Sequence, residues 1–219
     1  MPRLRAHNIS ISLDGYVAGP RQGPDHPLGV GGEPLHEWAY ATRTFRRMIG
    51  ATGGEAGTDD GFMAAGDIGI GATIMGRNMF GPVRGGWGDG AWRGWWGDEP
   101  PYRHPVFVLT HHARPPLVMA GGTTFHFVTE GIEAALERAV EAADGADVRL
   151  GGGAAALQQY LTAGLLDELH LVVVPILLGG GARLFDGFGE GEPAGYAATE
   201  VAPSAAVTHV RLARSNAAT

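Results

Sequence analysis

Three short segments place chemically capable residues where the sequence pattern changes abruptly. The first is Gly151-Gly152-Gly153, between the apolar run Val148 to Leu150 and a helical pattern from about Ala154 to Ala163. Glycines there let a ligand come close to the backbone. The helix that follows offers unpaired N–H groups and the positive end of its dipole, which suits a pyrophosphate. A tight strand-to-helix turn would use the same residues. The Gly-x-Gly-x-x-Gly dinucleotide fingerprint is not matched, because Ala and Leu follow the three glycines. The second segment, Thr73 to Phe80, holds Gly76-Arg77 at the end of the short apolar run Ala72 to Met75. A guanidinium at the carboxyl end of a strand lies where open α/β folds bind ligands, and its rigid fork of donors matches a phosphate. A surface ion pair is the plainer reading of such an arginine. The third is Thr110-His111, a hydroxyl and an imidazole directly after Val106 to Leu109.

Several other polar residues invite chemical readings. Asp14 stands in an Asp-Gly turn after the first strand, where it either contacts substrate and cofactor or shapes the turn. His36-Glu37 opens a helix and almost completes His-Glu-x-x-His, but Tyr40 takes the last position, so a zincin site is rejected. His111-His112 lacks the third spaced ligand that zinc needs. Trp87, Trp92, Trp95 and Trp96 crowd a Gly- and Pro-rich insertion at about 81–105, which would serve as a lid, a dimer interface or a piece of core.

These residues need elements to hold them. Leu4 to Leu13 reads as a strand and Leu35 to Met48 as a helix with Leu35, Trp38, Ala39, Phe45 and Met48 on one face. Asp59 to Ala65 begins another helix, with Thr58 or Asp59 as N-cap. Beyond Pro105, strands at Val106 to Leu109, Thr124 to Val128, Val148 to Leu150 and Glu168 to Pro175 alternate with helices from about Gly131 to Ala143 and Ala154 to Ala163. That order implies a mainly parallel sheet with helices on both faces. Tyr196 to Val201 and Val207 to Arg211 form a terminal antiparallel pair at one edge. With no repeat or linker, residues 1–219 read as a single domain.

Composition removes whole classes of function. The net charge of −7 argues against a general nucleic-acid binder. All 16 residues in the Lys+Arg count are arginine, so Schiff-base and Walker-type lysines are excluded. Cysteine is absent, and with it disulfides, thiolate catalysis and the cysteine-ligated zinc of nucleobase deaminases. No apolar run approaches the ~18 residues of a membrane span, and no signal-peptide pattern opens the chain. The expected location is cytoplasmic.

In order along the chain, Gly76-Arg77, Leu109-Thr110-His111 and Gly151-Gly152-Gly153 resemble the dihydrofolate-reductase-like superfamily. Ser12-Leu13-Asp14-Gly15-Tyr16-Val17-Ala18, Leu165 to His170, and Pro175-Ile176-Leu177-Leu178-Gly179-Gly180-Gly181 resemble the reductase domain at the C-terminus of the bifunctional riboflavin-biosynthesis deaminase/reductase. The resemblance runs over about residues 4–213. It implies a three-layer α/β fold, NADPH as cofactor and a homodimer. It sets Arg77, Thr110 and His111 at the adenosine 2′-phosphate and Gly152, Gly153 and Ala154 at the pyrophosphate, with Gly76 and Gly151 in the same cofactor-binding set. The implied activity is NADPH-dependent reduction of a small heterocycle, carbonyl or imine, with the proton from water, Asp14 or Glu37. Two alternatives are reduction of 5-amino-6-(5-phosphoribosylamino)uracil and a non-catalytic nucleotide-binding protein on the same fold. The sequence departs from the riboflavin-pathway reductases in two places. Arg77 to Pro82 replaces their Thr and Asp–Pro, and Gly151 stands where they usually carry a glutamate that holds the pyrimidine.

Overall fold

The computed structural model describes residues 2–81, 85–186 and 195–215. The elements in chain order are β1 (Leu4–Ser12), β2 (Tyr16–Ala18), α1 (Glu37–Ala41), α2 (Arg43–Met48), α3 (Thr58–Ala65), β3 (Ile70–Gly76) and α4 (Arg77–Phe80). They continue with β4 (Pro105–Leu109), β5 (Leu117–Val118), β6 (Thr124–Val128), α5 (Ile132–Ala142), β7 (Asp147–Leu150) and α6 (Ala154–Thr162). The last are β8 (Glu168–Val174), β9 (Ala182–Arg183), β10 (Tyr196–Pro203) and β11 (Thr208–Arg214).

Among the described residues nine strands form one sheet in the order β10-β11-β8-β1-β7-β3-β4-β6-β5. The run from β8 to β6 is parallel, while β11, β10 and β5 are antiparallel to their neighbours. The antiparallel pair at the C-terminus therefore sits at one edge, as its alternating pattern implies. The short β5, and the separate β2–β9 pair, are too brief to show in the sequence.

Parallel strands need cover on both faces, and their side chains divide accordingly. In β8, Leu169 and Leu171 join the core beneath α5 and α6, while Val172 and Val174 join the opposite core with Leu35 and Trp38. Small residues let α5 approach closely: Ala135 and Ala139, four apart, are fully buried against the sheet. The second face continues under the insertion, where Met75, Val106, Val108 and Phe125 pack with Phe80 and Met119.

The helix expected from Leu35 to Met48 is broken into two. Thr42 is extended (ψ 149), accepts the N–H of Phe45 on its hydroxyl and donates to the Ala39 carbonyl at 2.7 Å. It closes α1 and opens α2 at once, a local bond that competes with continuous helix. For α3 the N-cap is Gly57, at φ 147, one residue before the expected position.

A column of buried histidines joins α3 to the sheet. The Asn8 N–H donates to Nδ1 of His170 at 3.2 Å, which leaves Nε2 of His170 to donate to Nδ1 of His209 at 3.1 Å. Nε2 of His209 then donates to Asp59 at 2.8 Å. Each tautomer follows from the bond before it. Phe62 of α3 stacks on both rings, at 5.0 and 4.1 Å between centroids. Burial foremost, with the Arg211 charge adding to it, brings the His170 imidazole down to about 3. The folded chain thus refuses a proton that the unfolded chain accepts from about 6.5 downward. Stability is expected to be full above that pH and to fall toward pH 3, by up to about 1.4 kcal/mol per pH unit. Denaturant titrations across this range check it, and His170→Leu, which takes no proton, should show a shallower slope.

Candidate functional site

Because β1, β3, β4, β7 and β8 run parallel, their carboxyl ends form one rim of the sheet. Ser12, Gly76, Leu109, Leu150 and Val174 are the last residues of these strands. The chain leaves β3 toward β4 on one side and leaves β7 toward β8 on the other. The two exits diverge at the β3/β7 boundary, the kind of switch point where α/β sheets open a ligand crevice.

At that boundary the glycines meet. The Gly76 N–H donates to the Gly152 carbonyl at 2.7 Å, and the Gly151 N–H donates to the Ile74 carbonyl at 2.8 Å. A methyl at Gly76 would already lie 3.4 Å from Cβ of Ala156 and 3.5 Å from the Gly153 nitrogen. Gly152 adopts φ +100, and its peptide bond to Gly153 is cis. Gly153 differs: at φ −78 it is ordinary backbone, and a Cβ there would meet no atom within 4 Å. It caps α6 without a side-chain hydrogen bond, so among the described residues no side chain satisfies the first N–H groups of that helix.

Arg77 opens α4 next to this turn. Its Nη1 donates to the Thr110 hydroxyl at 3.0 Å and its Nη2 to the Gly85 carbonyl at 3.0 Å. The guanidinium lies over the Trp87 ring, 3.4 Å from the centroid. Arg77 and Thr110, picked out separately in the sequence, are thus in direct contact; His111 is exposed beside them.

The other end of the rim is fastened by Asp14. Its Oδ1 accepts from the Ser12 hydroxyl at 2.6 Å and from the Leu178 N–H at 3.1 Å, and its Oδ2 accepts from the Gly179 N–H at 2.7 Å. The Ser12 hydroxyl foremost, and then the two backbone donors, hold its carboxyl down at about 2 against the lesser opposing effect of burial. These bonds shape the turn, and an acid ionised so far below neutral pH has no proton to donate there. Glu37 is exposed on the first turn of α1, whose buried residues are Trp38 and Ala39. Among the described residues its carboxylate has no hydrogen bond or ion pair to draw it toward the crevice. Neighbouring His36 is half-buried, and burial takes its imidazole down to about 4.

The insertion turns out to be core and clasp. The indole N–H groups of Trp87, Trp92 and Trp95 donate to the carbonyls of His112, Phe80 and Asn78. Arg114 donates to the carbonyls of Trp92 and Gly90 at 2.9 and 2.7 Å. Trp96 differs from the other three: it is exposed on the surface of the insertion. Arg114 and Arg183 escape sequence reasoning. Arg183 donates to the Asp14 carbonyl at 3.1 Å and lies over Tyr16, and its only sequence signal is a cation just after Gly179-Gly180-Gly181. Among the described residues no group of three or more His, Asp or Glu could hold a metal, and no helix is long and apolar enough to cross a membrane.

The model of the RibD C-terminal domain matches residues 6–215. The chain belongs to that family. Its mainly parallel sheet with helices and an antiparallel C-terminal edge is the mixed α/β architecture expected from the sequence. A putative riboflavin biosynthesis protein from Shewanella sp. PV-4 is similar over 99% of this chain and 100% of its own, with 24% identity and a TM-score of 0.59. A diaminohydroxyphosphoribosylaminopyrimidine deaminase/5-amino-6-(5-phosphoribosylamino)uracil reductase from Thermotoga maritima is 14% identical, with a TM-score of 0.57. It is matched over 97% of this chain and 56% of that one. RibD from Acinetobacter baumannii is 16% identical over 99% of this chain and 59% of that one, with a TM-score of 0.54. The chain therefore spans little more than half the length of the last two. Comparison with curated proteins gives no match. Membership places the chain in a family of reductase domains.

The Asp14 clasp yields an expectation about stability. Asp14→Asn should lower the melting temperature at neutral pH, because an amide accepts fewer and weaker bonds than the carboxylate. The wild-type advantage should be full above pH 3.8 and shrink as pH falls toward 2, where the native carboxylate takes up its proton. Paired melts of the two proteins over that range check the sign.

Proposed function

We propose that this chain is an NADPH-dependent reductase of a small heterocyclic, carbonyl or imine substrate. The observation that carries the reading is the coincidence, at one sheet switch point, of an open glycine turn before a helix N-terminus and a guanidinium locked to a hydroxyl. Gly153 and the N–H groups at the start of α6 suit a pyrophosphate, since a ligand can reach backbone there that no side chain covers, with buried Gly152 shaping the turn behind them. Arg77 with Thr110 suits a phosphate on the neighbouring strand ends, with His111 beside them. When bound, the reduced nicotinamide supplies the hydride. The protein's part is to orient the two partners and exclude water.

The strand ends of β4, β3, β7 and β1 follow one another at about 4.8 Å spacing. A dinucleotide lying along that rim runs from Arg77 and Thr110 past Gly153 toward the turn at Asp14. Substrate then belongs at the β1 and β8 ends, which the Asp14 clasp holds at a fixed distance. With Asp14 ionised, we assign the proton of the reduction to solvent. The narrower reading, reduction of 5-amino-6-(5-phosphoribosylamino)uracil, is supported by the family and by the name of the Thermotoga maritima neighbour. Consumption of NADPH on addition of that compound distinguishes it from the broader reading.

Gly153 is the sharpest probe of the cofactor site. Gly152 is the poorer choice, because its φ of +100 would strain any side chain whatever its effect on ligand. At Gly153 the φ of −78 suits any residue, and a Cβ meets no atom within 4 Å beyond the chain neighbours. Gly153→Val should therefore melt close to wild type and bind NADPH at least about tenfold more weakly, roughly 1.4 kcal/mol. Calorimetric titration with NADPH, beside a thermal melt, tests this; a folded variant with wild-type affinity would refute the site.

A further inference from the structure

Arg77 is held in a closed circuit of contacts that includes a residue from the insertion. Arg77 donates to the Thr110 hydroxyl at 3.0 Å, and that same oxygen accepts the His112 N–H at 3.2 Å. The His112 carbonyl accepts the Trp87 indole N–H at 2.8 Å, and the Trp87 ring carries the Arg77 guanidinium at 3.4 Å. The ring itself is wedged: Phe127 meets it at 4.8 Å between centroids, Phe80 at 5.8 Å, and the Arg114 guanidinium approaches to 5.1 Å. Each member of the circuit fixes the next, so the plane of the guanidinium is set by the plane of the indole.

We propose that Trp87 sets the discrimination between a ligand bearing an adenosine 2′-phosphate and one bearing a 2′-hydroxyl, by holding the Arg77 fork flat and pre-oriented. This rests on the reading of Arg77 given above. Trp87 is a positioning residue: it acts through Arg77. An arginine has a long, rotamer-rich side chain, and ordering it at the moment of binding weakens the complex. Here the ordering is already done. The indole face attracts the cation, the Thr110 and Gly85 oxygens fix its rotation, and the fork is aligned before any phosphate arrives. A residue that only filled space at position 87 would anchor the insertion without this effect.

The two roles separate in calorimetric titrations of NADPH and NADH against four variants. Trp87→Leu keeps an apolar side chain but lacks the π face; it should weaken NADPH roughly five- to tenfold and leave NADH within about twofold. Trp87→Phe restores a π face and should bind NADPH within about twofold of wild type. Arg77→Ala should weaken NADPH selectively, and adding Trp87→Leu to it should cost nothing further, because the indole then has no fork to orient. Equal weakening of both cofactors by Trp87→Leu, failure of Trp87→Phe to rescue, or losses that simply multiply in the double variant would overturn the role of Trp87 while leaving Arg77 at the phosphate. If Arg77→Ala weakens NADPH and NADH alike, the assignment of Arg77 falls and that of Trp87 falls with it.

Discussion

The hydrogen bond from the Gly76 N–H to the Gly152 carbonyl, 2.7 Å long, is the contact around which the rest is arranged. It ties the exit of β3 to the exit of β7 where the chain turns opposite ways. Glycine suits the join because Gly152 sits at φ +100, a conformation that L side chains rarely adopt. To one side, the turn releases α6 with its N-terminus uncovered; to the other, it delivers Arg77 to the start of α4. Moving either strand by one residue would exchange faces along its length and take the arginine away from Thr110.

The rim is held by different physics at its two ends. Near β1 and β8 the fastening is a partly exposed carboxylate that accepts from a hydroxyl and two backbone N–H groups. Near β3 and β4 it is a cation lying on an aromatic face, with hydroxyl and carbonyl acceptors at its fork. The β2–β9 pair sits between turn and helix, since Arg183 reaches the Asp14 carbonyl while its own carbonyl accepts from Gln158 of α6 at 3.0 Å. Glycine turns and polar clasps thus divide the work: the first keep space open, the second keep distances constant.

Much of this was legible because it rests on periodicity. The parallel strands are near-continuous apolar runs, and α5 and α6 carry a regular buried face, so type and order follow from residues alone. Arg77, Thr110 and the glycines were legible because each stands at the end of such a run. Thr42 was not, since a threonine within a helical pattern breaks it only when its hydroxyl finds a carbonyl and an N–H at the right spacing. The role of Asp14 depends on Leu178 and Gly179, more than 160 residues away. Trp87 and Arg114 show the same limit. Their rings and charges announce packing, but their partners, His112 and Arg77 for Trp87 and Gly90 and Trp92 for Arg114, lie in loops and at a helix start that only the folded chain brings alongside.

The outer strand β10 carries a further consequence. It borders solvent along most of its length, and an unpaired strand edge is a template on which another chain can add itself. Here the template is defective. The register slips between Ala198 and Glu200, Glu200 carries a charge paired with Arg211, and Pro203 ends the strand without an N–H to offer. An incoming strand would meet a broken ladder of donors and an acidic side chain midway. Among the described residues the sheet ends at β10, on an edge whose composition suits it poorly as a template for a further strand.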